Sequence, residues 1–205
     1  MFGSRCDTLE QGRLTFDQEG NILAPFYQGS AAYQKYRGYA KPNSVLVARH
    51  DLKNCRIDGV FWLPIAADPR FVESIGESPS GWLVANFYDF EEHEYKILLY
   101  HPGEKVRRIF PGRHPSFSDN GEWLAYYRPD EYLVIHKVST GEERPLVKVE
   151  SQWDGMLWGS EFSMPGWSPD SEWLVYNDSF GRIYKIQRES GQRIYLGKGW
   201  SPDWR

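Results

Sequence analysis

Met164-Pro165-Gly166-Trp167-Ser168-Pro169-Asp170-Ser171-Glu172-Trp173-Leu174-Val175-Tyr176 takes an aromatic residue into a Ser-Pro-Asp-Ser turn and leaves it as an apolar run. Ser, Pro and Asp each favour a turn for their own reason, and Trp-Leu-Val-Tyr suits a pleated strand. The same wording stands at His114-Pro115-Ser116-Phe117-Ser118-Asp119-Asn120-Gly121-Glu122-Trp123-Leu124-Ala125-Tyr126, with Pro, aromatic, Ser, Glu, Trp, Leu and Tyr at equal spacing. Gly199-Trp200-Ser201-Pro202-Asp203-Trp204 is a shortened copy. Earlier in the chain, Ser78-Pro79-Ser80-Gly81-Trp82-Leu83-Val84-Ala85 repeats the turn and strand with one residue fewer. Leu14–Ala24 is a degenerate version that keeps Phe16, Gly20, Leu23 and Ala24 in register.

Each copy is followed by further strand signals. Ser44–His50 and Cys55–Leu63 follow the first, with Asp51–Asn54 as a hairpin loop. Tyr95–Tyr100 and Val106–Phe110 follow the second, and Tyr132–His136 and Arg144–Val147 follow the third across a Thr140-Gly141 turn. Arg182–Ile186 and Arg193–Leu196 follow the fourth across Ser190-Gly191. Four short strands per unit, with unit starts roughly 35–60 residues apart, predict an all-β chain of propeller blades. Runs such as Trp173–Tyr176 are apolar on both faces, as strands covered on both sides must be, whereas a one-sided sheet would alternate. The one stretch with an ambiguous helical pattern is Ala31–Tyr39.

At 205 residues the chain can bury a sizeable core. Nine Trp and thirteen Tyr fit covered strands and exposed binding surfaces equally well. A net charge of −4 gives no general attraction to nucleic acid or to anionic membranes. Met1–Asp7 lacks the apolar core of a signal peptide, and no apolar run approaches the roughly 20 residues that span a bilayer. Without an export signal the expectation is a cytoplasmic protein, with Cys6 and Cys55 as reduced thiols. The sequon Asn177-Asp178-Ser179 then carries no glycan.

The Pro-x-(Trp/Phe)-Ser-Pro-Asp-(Gly/Ser)-x-Trp-Leu-x-Tyr pattern, followed by a strand and a Thr-Gly or Ser-Gly turn, resembles the TolB-like (WD40-like) β-propeller repeat. The match is clear over 115–146 and 165–196, partial over 14–63 and 78–110, and cut short at 199–204. Residues 1–12 are polar, carry no strand pattern and read as a loose lead-in, and the resemblance implies one propeller domain over 13–205. Its four-stranded antiparallel blades would be 13–63, 71–112, 113–150 and 163–197, with a closing or partial strand over 198–205. Family propellers generally have six or seven blades. About four to five here leave three architectures open: a small closed ring, an open arc, or a ring completed by another subunit. The resemblance also implies that the long connections 28–43, 64–77 and 149–164 open on one face, while the Ser-Pro-Asp and Thr-Gly turns make the other face smooth.

Long loops on a rigid β scaffold are where binding resides. In the first, Tyr33, Tyr36 and Tyr39 alternate with Lys35, Arg37 and Lys41, a composition that stacks on rings or grips acidic peptides. In the last, Trp153, Asp154, Met156 and Trp158 read as interface anchors when exposed and as a cover for the ring when folded back.

Elsewhere the simpler reading prevails. Glu91-Glu92-His93-Glu94 is a solvated turn, because adjacent side chains point apart. His93, His101, His114 and His136 have no zinc-like spacing. Asp119, Asp170 and Asp203 recur with the turn and bond it. Arg107, Arg108, Arg113 and His114 form a modest basic strand end. No nucleophile elbow, His-Glu-x-x-His motif or phosphate loop is present.

The expectation is a non-enzymatic binding module or scaffold without cofactor or metal, docking a protein or peptide partner within an oligomeric or heteromeric assembly. A carbohydrate- or peptide-acting lyase or hydrolase with its site in the propeller cleft is one alternative. Single-stranded nucleic-acid contact through the Tyr/Lys/Arg loop is another, and membrane binding is not expected.

Overall fold

Each of the four longer repeats folds as a four-stranded antiparallel sheet in the computed structural model, which describes residues 15–16, 22–25, 45–51, 53–54, 56–65, 71–150 and 162–204. The first sheet contains β1 (Thr15–Phe16), β2 (Ile22–Pro25), β3 (Val45–Asp51) and β4 (Arg56–Leu63), and the second β5 (Val72–Glu77), β6 (Leu83–Asp89), β7 (Glu94–His101) and β8 (Val106–Pro111). The third contains β9 (Arg113–Phe117), β10 (Trp123–Tyr127), β11 (Tyr132–Lys137) and β12 (Glu143–Lys148). The fourth contains β13 (Gly166–Trp167), β14 (Trp173–Asn177), β15 (Arg182–Gln187) and β16 (Arg193–Lys198). Strands are hydrogen-bonded in chain order within every sheet, the up-and-down arrangement of a propeller blade. The ambiguous segment 31–39 lies outside the described residues. No helix among the described residues is long and apolar enough to cross a membrane.

The repeated turn is a hydrogen-bonded knot built on serine. Ser168 N–H donates to the Trp173 carbonyl at 2.9 Å, and Trp173 N–H returns the bond to Ser168 Oγ at 2.9 Å. Ser168 Oγ donates to Asp170 Oδ1, which also accepts from Glu172 N–H at 3.0 Å. The third blade copies this with Ser118, Trp123, Asn120 and Glu122. The side chain equivalent to Asp170 is therefore Asn120, and Asp119 stands at the place of Pro169; the expected turn-bonding role of Asp119 belongs to Asn120. Gly81, Gly121 and Ser171 take the left-handed position of the three turns, with φ of 82°, 71° and 58°. The Thr-Gly and Ser-Gly turns are likewise equal, with Gly141 N–H donating to Lys137 O at 2.8 Å and Gly191 N–H to Gln187 O at 2.9 Å.

Two compact units result, Met1–Glu77 with Leu83–Ile109 and Ser78–Trp82 with Phe110–Arg205. In the first, Leu23, Val45, Val47, Leu63, Ile75, Leu83, Phe87 and Leu98 belong to one buried core. Lys96 on β7 is nearly buried and bonds Asp89 at 2.9 Å and Glu92 at 2.6 Å. Burial opposes the Lys96 charge, but Glu92 and Asp89 outweigh it and hold its pKa above the ordinary value. Lys96 in turn is the main cause that holds the Asp89 carboxyl below the usual range.

In the second unit, Ala125, Tyr127, Leu133 and Ile135 of the third blade pack with Trp167, Leu174, Tyr176, Tyr184 and Ile186 of the fourth. Each large aliphatic side chain among them contributes about 1.5–3 kcal/mol by leaving water. Polar links flank this core. Trp167 Nε1 donates to Ser116 O at 3.0 Å, and the Arg188 guanidinium lies 4.8 Å over the Trp123 ring. Arg144 donates to the carbonyls of Glu189, at 2.9 Å, and Arg188. β10 and β11 are buried on both faces, while the outer strand β12 shows mixed exposure.

The shortened copy differs from its expected strand. β16 ends at Lys198, and residues 199–204 carry no strand. They lie across the fourth blade instead: Trp204 Nε1 donates to Gly166 O at 3.2 Å, and a Cβ on Gly199 would stand 2.9 Å from Ile183 Cδ1. Strand partners place Gly166 beside Val175, and Asn177 beside Ile183, on the sheet face turned away from the third blade. Trp-Ser-Pro-Asp-Trp thus acts there as an apolar cover.

Gly121 combines a φ of 71° with a neighbour so close that an added Cβ would stand 2.7 Å from Pro79 Cδ, whereas Gly191, with φ of 69°, has open space. Gly121→Ala is expected to cost about 2–3 kcal/mol and Gly191→Ala about 1 kcal/mol, read as shifts in urea midpoint. Because the Asp89 pKa is depressed in the fold, its stabilisation is present above the unfolded value and is lost as pH falls through the folded one. Asp89→Asn keeps an acceptor for the Glu91 and Glu92 amides but removes the charge. It should cost about 0.5–1 kcal/mol at neutral pH and nothing at a pH below both values, measured by urea unfolding across pH.

Candidate functional site

Asn177-Asp178-Ser179-Phe180-Gly181 leads from β14 to β15 through a densely hydrogen-bonded turn. Asp178 is buried, and its Oδ1 accepts from Phe180 N–H at 3.0 Å and Arg182 N–H at 2.9 Å. Its Oδ2 accepts from Arg182 Nε at 2.6 Å. Gly181, at φ of 69°, lets the chain reverse, and its N–H donates to Asp178 O at 3.1 Å. An aspartate capturing the amides after it is the standard Asx device, here reinforced by an ion pair.

This turn ties down both ends of a long connection. On one side, the Glu150 carbonyl accepts from Ser179 N–H at 3.3 Å and Ser179 Oγ at 3.1 Å. Arg182 Nη2 donates to Glu150 Oε2 at 2.7 Å and holds that exposed carboxyl below its ordinary pKa. On the other, Asn177 Oδ1 accepts from Ser163 N–H at 3.0 Å and from the Ser163 hydroxyl. Val149 N–H donates to Glu131 O at 2.8 Å, so the strand before the connection is fixed as well. The side chain of Asn177 is wholly buried, with Nδ2 donating to Asp178 O at 3.1 Å, so the sequon is closed to glycosylation in the folded chain.

The second unit also holds an aromatic and basic layer. Phe162 is buried against Tyr127, ring centres 5.1 Å apart, and His114 meets Tyr127 edge-on at 6.3 Å. His114 and Arg113 are both buried, and His114 holds a φ of 54°, the left-handed region that a side chain rarely adopts. Burial first, then Tyr176 and Asp178, pushes the Tyr127 hydroxyl far above its ordinary pKa. Burial pushes Tyr176 up to about 12 against the opposing pull of Arg193. Both phenols stay neutral near pH 7. Asp178, with three donors on its carboxylate, holds a turn rather than passing a proton.

The sequence-selected residues divide accordingly. Tyr33, Lys35, Tyr36, Arg37, Tyr39, Lys41, Trp153, Asp154, Met156 and Trp158 lie outside the described residues, as do Cys6 and Cys55. Among the described residues, no three His, Cys, Asp or Glu side chains are grouped to hold a metal. Glu92 bonds Lys96, His93 sits at φ of 55° in its turn, and His101 Nδ1 accepts from Glu104 N–H at 3.0 Å. His136 stacks on Phe110 at 5.2 Å. The modest basic cluster is not one exposed patch: Arg107 is exposed, Arg108 half-buried, and Arg113 and His114 buried. The Asp178–Arg182–Glu150 set escaped the sequence reading. Asn-Asp-Ser-Phe-Gly between two apolar runs is the signal that marks it, since Asp ahead of Gly between strands closes a turn.

No protein-family model matches the chain, and no curated protein matches it. Solved structures do. The Cps50 (Swd1) β-propeller domain of Myceliophteria thermophila aligns with a TM-score of 0.53 at 14% identity, over 92% of this chain and 57% of its own. Apo AztD from Citrobacter koseri gives 0.54 at 14% identity, over 78% of this chain and 44% of its own. The β-propeller domain of the trilobed protease from Pyrococcus furiosus, described as having an open velcro topology, gives 0.51 at 14% identity, over 62% and 42%. The chain spans 42% to 57% of these three proteins' lengths. With four four-stranded antiparallel sheets and these neighbours, the chain is a β-propeller protein, consistent with the TolB-like, WD40-like repeat.

Proposed function

We propose that the chain is a non-enzymatic β-propeller binding module, a scaffold subunit that docks a protein or peptide partner on its long connections. The observation that supports this most is the double anchoring of the connection 151–161. Glu150 and Ser163, which flank it, are both bonded to residues 177–182 of one rigid hairpin. Holding both ends of a loop close together removes much of the ordering cost that a flexible loop adds to binding. Trp153, Met156 and Trp158 within it have the chemistry of interface anchors, and Asp154 adds a polar contact. Tyr33, Lys35, Tyr36, Arg37, Tyr39 and Lys41 supply a second, basic and aromatic contact set in the same reading. The side chains of the anchoring turn are engaged with each other and with the backbone, as a structural frame requires.

Selection of a random peptide display library against the intact protein should enrich a family of peptides. Trp153→Ala with Trp158→Ala should weaken those peptides by about tenfold or more. Asp178→Asn, which touches no proposed contact residue, should weaken them less, by loosening the frame. Failure to enrich any peptide, or peptides indifferent to both Trp substitutions, would overturn the reading.

A further inference from the structure

β16 is an edge strand of the fourth blade, and its composition differs from that of the outer strands β8 and β12. Exposed sheet edges invite pairing with other chains, and proteins blunt them with proline or charge. β12 carries Pro145 at its middle, and β8 carries Arg107 and Arg108 and ends at Pro111. β16 has no proline, and it presents three consecutive apolar residues: Ile194 is 38% exposed, Tyr195 54% and Leu196 53%. In the third blade the bulge residue is Leu146, half-buried against the core, whereas the matching Leu196 stands in solvent.

The surrounding charge is as distinctive. Residues 182–198 contain Arg182, Lys185, Arg188, Arg193 and Lys198 against Glu189 alone, five minus one, or +4, in a chain of net −4. The matching hairpin 132–148 has Lys137, Arg144 and Lys148 against Glu142 and Glu143, three minus two, or +1. Antiparallel pairing of β16 with a second copy of itself, centred between Tyr195 and Leu196, would set Arg193 opposite Lys198, a repulsive cross-strand pair. An acidic strand has the opposite sign throughout. Lys185 and Arg193 already lie over Trp173 and Tyr184, at 4.7 and 4.8 Å, so the hairpin is stiff as well as basic.

We infer that β16 is the docking edge for an extended partner segment with apolar residues at its centre and carboxylates at its flanks, which adds a fifth strand to the blade. Ile194, Tyr195 and Leu196 supply the apolar contacts, and Lys198, on the edge itself, selects for acid; Arg182 and Arg188 are already paired with Asp178, Glu150 and Glu189. The backbone of the edge supplies the ladder. Pro145 occupies the register position of Tyr195, paired with Val134 as Tyr195 is with Tyr184. The ladder inside the blade therefore needs no N–H there, and in β16 that N–H is free to serve the incoming strand. This edge shares no residue with the connections of the preceding section, so the two readings stand or fall separately.

The test is fluorescence anisotropy of the full chain with a short labelled peptide of alternating Val and Thr flanked by Asp-Glu pairs. The same peptide with Lys flanks, the acid-flanked peptide with a central Pro, and a single-stranded oligonucleotide are run beside it. The acid-flanked peptide should bind saturably, with a dissociation constant on the order of 10–100 µM, and the others much more weakly. Tyr195→Pro copies the third blade and should leave the melting temperature nearly unchanged while weakening the peptide about tenfold. Lys198→Glu should weaken it about threefold and strengthen the Lys-flanked peptide. No saturable binding, equal affinity for both flanks, indifference to Tyr195→Pro in a folded protein, or tighter oligonucleotide binding would each overturn the inference. If Tyr195→Pro does not fold, the charge swap at Lys198 decides alone.

Discussion

A sheet whose middle strands are apolar on both faces has to be covered on both. In the third blade, Ala125, Tyr127, Leu133 and Ile135 point one way and Leu124, Tyr126 and Val134 the other, and all are buried. A helix or a single opposing sheet would cover only one of these sets, so stacking blade on blade is the solution that such strands favour. The outer strands escape the demand. They carry mixed and charged sequences, such as Arg107-Arg108 in β8 and Glu143-Arg144 in β12, because only part of each lies under a neighbour. The position of each strand in its blade is thus set by how many of its faces can find a cover.

The serine turn makes this stacking regular. A hydroxyl both accepts and donates, so Ser168 takes the Trp173 amide and still gives its proton to Asp170, and Ser118 does the same with Trp123 and Asn120. Serine replaced by alanine would leave the Trp amide without that partner at the point where two strands converge. In the third and fourth blades the turn is bonded in the same way. Inter-blade links such as Trp167 Nε1 to Ser116 O can then form between strands far apart in sequence. At Trp167 the ring is buried in the core shared by the third and fourth blades while its N–H finds a backbone carbonyl.

Legibility in the sequence followed the same division. The turn, the strand after it and the Gly turn of the outer hairpin were readable because each rests on local chemistry: a side chain bonding its own neighbourhood, or a positive φ. The number of strands and their order followed from repetition. Three features differ from the sequence expectation or lie beyond it. Asp119 was taken for the turn carboxylate because it follows Ser as closely as Pro169 does, yet the bond depends on distance from the serine, and Asn120 occupies that place. The shortened copy at 199–204 has the turn residues but lies flat on the fourth blade, because Gly166, Val175 and Ile183 offered an apolar face and Gly199 could approach it. The Asp178–Arg182–Glu150 set joins residues about thirty positions apart, a pairing that no local pattern announces.

That last set also separates what the fold demands from what function can use. A blade needs its β14–β15 turn only to reverse the chain, and a glycine with one aspartate would suffice. The observed turn goes further: it buries Asn177, Asp178 and Ser179, and it bonds Asn177 to Ser163 and Ser179 to Glu150, residues that flank the connection, while Asp178 holds Arg182. Buried polar groups are costly unless every bond is made, so such a turn is stable only while both flanks of the connection stay docked on it. Glu150 and Ser163 are therefore part of the fold. The anchoring uses the β14–β15 turn and leaves untouched the side chains that pack the third blade against the fourth.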